Sequence, residues 1–220
     1  MSVDRGSGET ERGRVGLEDP RALDILTTEH WSLLSTRTLG YQEMFGRTTV
    51  FVATLTGAVV ALALVAQATG FGRETLSVAL LLIAVVLFIG LTTFVRSVAI
   101  NYEDARWIRG MNLLLRQAYL RIVPELEPFF VTGHEPEADR SALAYGSRQR
   151  FAALANSLTT TSGVVAVLNS VLAGSLASDV AALCGGGLSL DLPLGVAFSL
   201  VSAALHVRYA ARFRRTHAPD

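Results

Sequence analysis

TTVFVATLTGAVVALALVAQATGFGRETLSVALLLIAVVLFIGLTTFV, residues 48–95, carries two apolar runs on either side of one short polar turn, ATGFGRE. Arg73 and Glu74 are its only charges. A helix needs about 20 apolar residues to cross the ~30 Å hydrocarbon layer of a bilayer. Thr48–Gly72 and Thr75–Val95 each meet that length, so the stretch reads as two membrane-spanning helices folded back on each other.

The rest of the chain extends this pattern. Half of the 220 residues are hydrophobic, which is rich for a soluble chain of this length. Two further charge-free stretches follow, Phe151–Ser178 and Leu192–Val207. The last is short, but Asp191 can cap it at the headgroup level and Arg208 can reach outward. A buried hairpin that only dips into the membrane is the alternative for this second pair. The expected fold class is all-α, an integral membrane four-helix bundle with long helices extending into the cytoplasm.

Orientation follows from the basic residues, all 19 of which are Arg. Arg5, Arg12, Arg14, Arg21, Arg37 and Arg47 precede the first span, eight lie between the second and third, and four follow the last. Arg73 alone falls in an outer loop. Because Lys and Arg collect on the cytoplasmic side, both termini are expected there, in a bacterial cytoplasmic membrane. No cleavable signal sequence is expected, since the first 47 residues carry charge throughout. The single cysteine, Cys184, has no partner for an intramolecular disulfide or a metal site.

Residues 1–18 mix charge and glycine with little to bury and are expected to be disordered. Asp19-Pro20 then reads as a helix start, and no proline interrupts the chain before the first span. Leu23, Leu26, His30, Leu33, Arg37, Tyr41 and Met44 step along one helical face. Beyond Arg96, Ala105, Ile108, Met111, Leu115, Ala118 and Ile122 do the same, until Pro124 ends the run. The expected organisation is a helical hairpin over 19–123 with cytoplasmic arms and spans near 48–69 and 75–96. A loop over 124–137 separates it from a second hairpin over 138–215, with spans near 152–178 and 191–208 and a tail at 216–220.

A turn centred on Gly72 sets a register for the arms. Asp24 then falls opposite Leu120 and Arg121, Glu29 opposite Leu115 and Arg116, and Arg37 opposite Trp107 with Asp104 nearby. Glu43 falls opposite Asn101 with Arg96 about a turn away. Four opposite-charge pairings from one register specify alignment more than stability, because each exposed pair contributes only ~0–1 kcal/mol. Glu29 and His30 beside Trp31 resemble the beginning of a chemical site, but His134, His206 and His217 lie far along the chain. Without converging ligands or a positioned nucleophile, no catalytic residue, cofactor or metal is assigned and the chain is not read as an enzyme.

The third span, AALANSLTTTSGVVAVLNSVLAGSLAS, is unusually polar. Asn156, Thr160, Gly163, Ala166, Ser170 and Gly174 share one side, with Asn169 adjoining. Small residues let helices approach and Asn or Thr bond across them; the same groups could also line a water-filled path. The basic tail HVRYAARFRRTH suits attraction to anionic lipid headgroups, and no nucleic acid is expected. None of the spans holds Asp, Glu, Lys or Arg in its core, which disfavours proton-coupled or secondary transport.

LTTEHWSLL (26–34) and NYEDARWIRGMN (101–112) resemble stretches of uncharacterised bacterial four-span membrane proteins. In layout, residues 20–123 resemble the SLATT architecture, in which two adjacent spans are flanked by cytoplasmic helices. That resemblance implies a membrane effector of nucleotide-signalling defence, without assigning a functional residue; the extra pair of spans departs from it. The expected function is a homo-oligomeric assembly, an ion channel or membrane-permeabilising effector. The alternative is a non-conducting scaffold or sensor that recruits a soluble partner through Trp31, Trp107 and Arg109.

Overall fold

A computed structural model describes residues 17–129 and 158–216. The described residues form no strand; they build helices α1 (Ala22–Thr69), α2 (Arg73–Leu113), α3 (Thr161–Leu183) and α4 (Leu188–Thr216). All of these are long and apolar enough to cross a membrane. Beyond Leu113, α2 continues through a π-helical turn at Leu114–Tyr119 and a last α-turn at Leu120–Ile122, and a 3-10 segment, Pro124–Phe129, follows.

Local chemistry accounts for these boundaries. Asp19 Oδ1 accepts from the Arg21 backbone N–H at 2.8 Å and the Asp19 carbonyl from the Ala22 N–H at 2.8 Å, which starts α1 as a capped helix. Its threonines do not interrupt it, because Thr48, Thr54, Thr56 and Thr69 each donate to the carbonyl four residues back. A hydroxyl so occupied presents no unmet donor to an apolar surrounding. The α1–α2 turn is closed by Gly70, whose φ of 74° lies in the left-handed region that a side chain disfavours. The Thr69 and Thr75 hydroxyls bridge the turn at 2.8 Å.

Thr161 opens α3: Thr160 is extended (φ −69°, ψ 156°) and its Oγ1 accepts from the Gly163 N–H at 3.1 Å. A Ser/Thr cap with two more hydroxyls beside it favours a fresh start there. The expected helix from Ala138 lies outside the described residues. In α4 the first turn begins at Leu188, so Asp191 sits inside that turn and is not its cap; its N–H bonds to the Gly187 carbonyl at 3.0 Å.

The chain divides into two compact units, one holding 17–39 and 104–129 of the described residues and the other 40–103 and 158–216. In the first, Leu33 is buried and its Cδ1 lies 3.8 Å from where a Cβ on Gly110 would stand. The second is a helical bundle to which all four long helices contribute. Phe51 of α1, Val86, Phe94 and Val98 of α2, and Val165 and Leu172 of α3 form its core, flanked by Ala210 and Phe213 of α4. Large apolar side chains also cover its outside, among them Val59, Leu64, Leu81, Phe88, Val171, Leu200 and Leu205, each at least 55% exposed.

Candidate functional site

The most polar point in the bundle core is Asn169, fully buried on α3. Gly90 of α2 makes room for it: a Cβ there would collide with Asn169 Oδ1, and would lie 2.7 Å from Phe51 Cε2 and 2.9 Å from Asn169 Cγ. The amide nitrogen Nδ2 approaches His206 Nε2 of α4 at 3.5 Å. On the far side of the ring, His206 Nδ1 lies 2.7 Å from the Ser202 carbonyl and 3.4 Å from its hydroxyl. Phe94 packs edge-on against the imidazole, ring centroids 4.5 Å apart.

A carbonyl only accepts, so the short contact to Ser202 places a proton on Nδ1, and in the neutral imidazole the lone pair then lies on Nε2. The Asn169 amide donates toward that lone pair. Its Oδ1 has no hydrogen-bond partner among the described residues, an uncommon state for a buried acceptor. Buried Thr93 and Ser97 line the same stretch of α2, and the Ser97 hydroxyl donates to the Thr93 carbonyl at 2.8 Å.

The remaining residues of the polar stripe serve helix contact. At Gly174 a Cβ would collide with Ser199 Oγ and the Gly195 carbonyl of α4; at Gly195 it would lie 3.1 Å from the Gly174 carbonyl and 3.3 Å from Ser178 Cβ. Buried Ser170 donates to the Ala166 carbonyl at 2.7 Å within its own helix. Thr160 caps α3 and Gly163 supplies the capped N–H; both are half-buried. Ser162 joins this end to α2 by accepting from Asn101 Nδ2 at 3.3 Å. Asn156 lies outside the described residues.

Of the charges set opposite one another by the register, the structure joins two pairs. In the first unit the Arg37 guanidinium holds both Asp104 carboxylate oxygens. In the second, Arg96 donates to Glu43 Oε1 and Oε2 at 2.9 and 2.8 Å and to Glu103 at 3.2 Å, and Arg47 adds a bond to Glu43 at 2.8 Å. These donors, Arg96 first and Arg47 second, hold the Glu43 carboxyl down at about 2. Asp24 and Arg121 are exposed and form no ion pair with each other. The Arg116 side chain, and with it any pairing to Glu29, lies outside the described residues.

His30 packs on Tyr119, ring centroids 5.9 Å apart. Trp31 is 67% exposed, whereas Trp107 and Arg109 are half-buried and Arg109 is engaged in the fold. Among the described residues no group of three or more His, Cys, Asp or Glu side chains gathers as a metal site. Neither the imidazole of His206 nor the missing side chain of Gly90 is marked out by a motif in the sequence. The available signals were an imidazole at the edge of an apolar run and a glycine inside one. Comparison with protein-family models, with curated proteins and with solved structures gives no match to this chain.

Proposed function

We propose that this chain is a non-conducting membrane scaffold or sensor: a four-span protein with both ends in the cytoplasm, whose paired helical arms recruit a soluble partner. The observation that carries this reading is the use made of the third helix. Asn169, Ser170 and Gly174 are all buried within one copy of the chain, Asn169 against Gly90 and His206 and Gly174 against Gly195. Residues that would have to line a path are consumed in helix packing, the role small and amide side chains take between membrane helices. The wide exposed apolar surface of α1 and α4 suits contact with lipid.

Partner recruitment falls to the arm surface, where Trp31 stands out with Leu23 and Ile25, each more than half exposed. Exposed aromatics of this kind anchor protein contacts. The test reconstitutes the protein in liposomes and measures ion and small-dye flux, alongside affinity capture from cytosol with wild type and Trp31→Ala. Absence of flux together with capture lost in the Trp31→Ala protein supports the scaffold. Flux that falls in a correctly folded Asn169→Leu protein would replace it with the homo-oligomeric channel.

A further inference from the structure

We infer that His206 is a proton-binding site inside the bundle and that Asn169 is the group that registers its occupancy. In the form described, the His206 Nε2 lone pair faces the Asn169 Nδ2 donor at 3.5 Å, and Asn169 Oδ1 rests over Gly90 without a hydrogen-bond partner among the described residues. When a proton from solvent binds Nε2, both ring nitrogens become donors. Nδ1–H keeps its bond to the Ser202 carbonyl, and Nε2–H now opposes Nδ2–H, donor against donor.

A half-turn of the Asn169 amide resolves this conflict. It exchanges oxygen and nitrogen within nearly the same volume, bringing the unpartnered Oδ1 onto Nε2–H and the NH2 over Gly90. One weak neutral hydrogen bond is replaced by a charge-assisted one, the stronger kind. Loss of the proton reverses both changes, so no oxidant, reductant or co-substrate is involved.

The surroundings leave this task to Asn169. From α2 the ring meets Phe94, from α3 Asn169, and from α4 Ser202; among the described residues no charged side chain hydrogen-bonds to it or pairs with it. Tyr209, a titratable group on the same helix, packs its ring 5.9 Å from that of Phe94. Arg96, a turn-half beyond Phe94 on α2, is held by Glu43 and Glu103. Because Asn169 touches α2 at a glycine and α4 at the imidazole, the amide turn alters the contact between α3 and each of these helices.

The inference rests on the scaffold reading only for its use, not for its chemistry. Its test is nitrogen NMR of protein labelled at His and Asn in lipid nanodiscs, titrated from roughly pH 8 to 5, where imidazoles change charge. Assignment uses a chain in which His30, His134 and His217 are replaced by Gln, and His206→Gln. The expected result is loss of the Nε2 lone-pair signal and, in the same step, a shift of the Asn169 side-chain NH2, with no such step in His206→Gln. An Nε2 that keeps its lone pair throughout, or one that protonates while the Asn169 amide stays still, overturns the inference; the wild-type titration decides this even if His206→Gln does not fold. Partner capture is measured separately, so a lost scaffold would leave the titration standing.

Discussion

Asn169 occupies the space a side chain at Gly90 would fill, so the residue missing from α2 and the amide on α3 form one fitted contact. Gly90→Ala should therefore destabilise the bundle by about 1–3 kcal/mol, the usual cost of forcing a methyl into a packed interior. Thermal unfolding in detergent measures it. Gly57, where nothing lies within 4 Å of the same added carbon, is the control: Gly57→Ala should be neutral or up to ~1 kcal/mol stabilising. Equal behaviour of the two variants would show that Asn169 does not sit against Gly90.

The α3–α4 crossing gives a second prediction with an internal check. At Gly174 one obstacle to a methyl is the movable Ser199 hydroxyl and the other is the Gly195 backbone carbonyl. Gly174→Ala should lower the unfolding temperature, and adding Ser199→Ala should restore little of the loss, since the carbonyl stays. Full rescue by Ser199→Ala would locate the whole contact in the serine.

Glu43 makes stability depend on acid. Its carboxyl is held at about 2, below its ordinary 4.5, by Arg96 and then Arg47. The folded chain binds that proton more weakly than the unfolded chain, so the contribution is complete above ~4.5 and is lost as pH falls toward about 2. The side chain is 35% exposed, which limits the effect to roughly 1 kcal/mol or less. Unfolding measured across this window should show a shallower acid limb in Glu43→Gln than in wild type; parallel limbs would mean the pair contributes nothing.

Thr160→Ala removes the acceptor for the Gly163 N–H. Loss of such a cap costs about 0.5–2 kcal/mol. Hydrogen exchange should quicken locally over 161–164, with residues in the middle of α3 unaffected, and retention by Thr160→Ser should be nearly complete.

How far the sequence could be read differs by level. Helix type follows from charge-free runs of spanning length, because a long apolar segment without proline has few other ways to satisfy its backbone. The two charge pairs between α1 and α2 involve residues that a tight turn alone sets within a helical turn of each other. The observed partners of Arg37 and Glu43, Asp104 and Arg96, both lie earlier on α2 than strict opposition about Gly72 gives, because only one residue per turn faces the seam. The meeting of Asn169 with Gly90 and His206 was not legible in this way. It depends on the rotation and depth at which α3 sits against α2 and α4, and these follow from steric gaps at Gly90 and Gly174 that become meaningful only with the neighbour in place.

Arg73 Nη2 donates to the Leu183 carbonyl at 2.8 Å, joining residues 110 apart in the chain. The turn of the first hairpin thus holds the carbonyl of the last residue of a helix synthesised much later, where a cation is favoured by the helix dipole. During biogenesis the earlier hairpin would already present this guanidinium when α3 arrives. It would act as a docking post that rewards arrival at one depth, so that the order of synthesis contributes to the order of assembly.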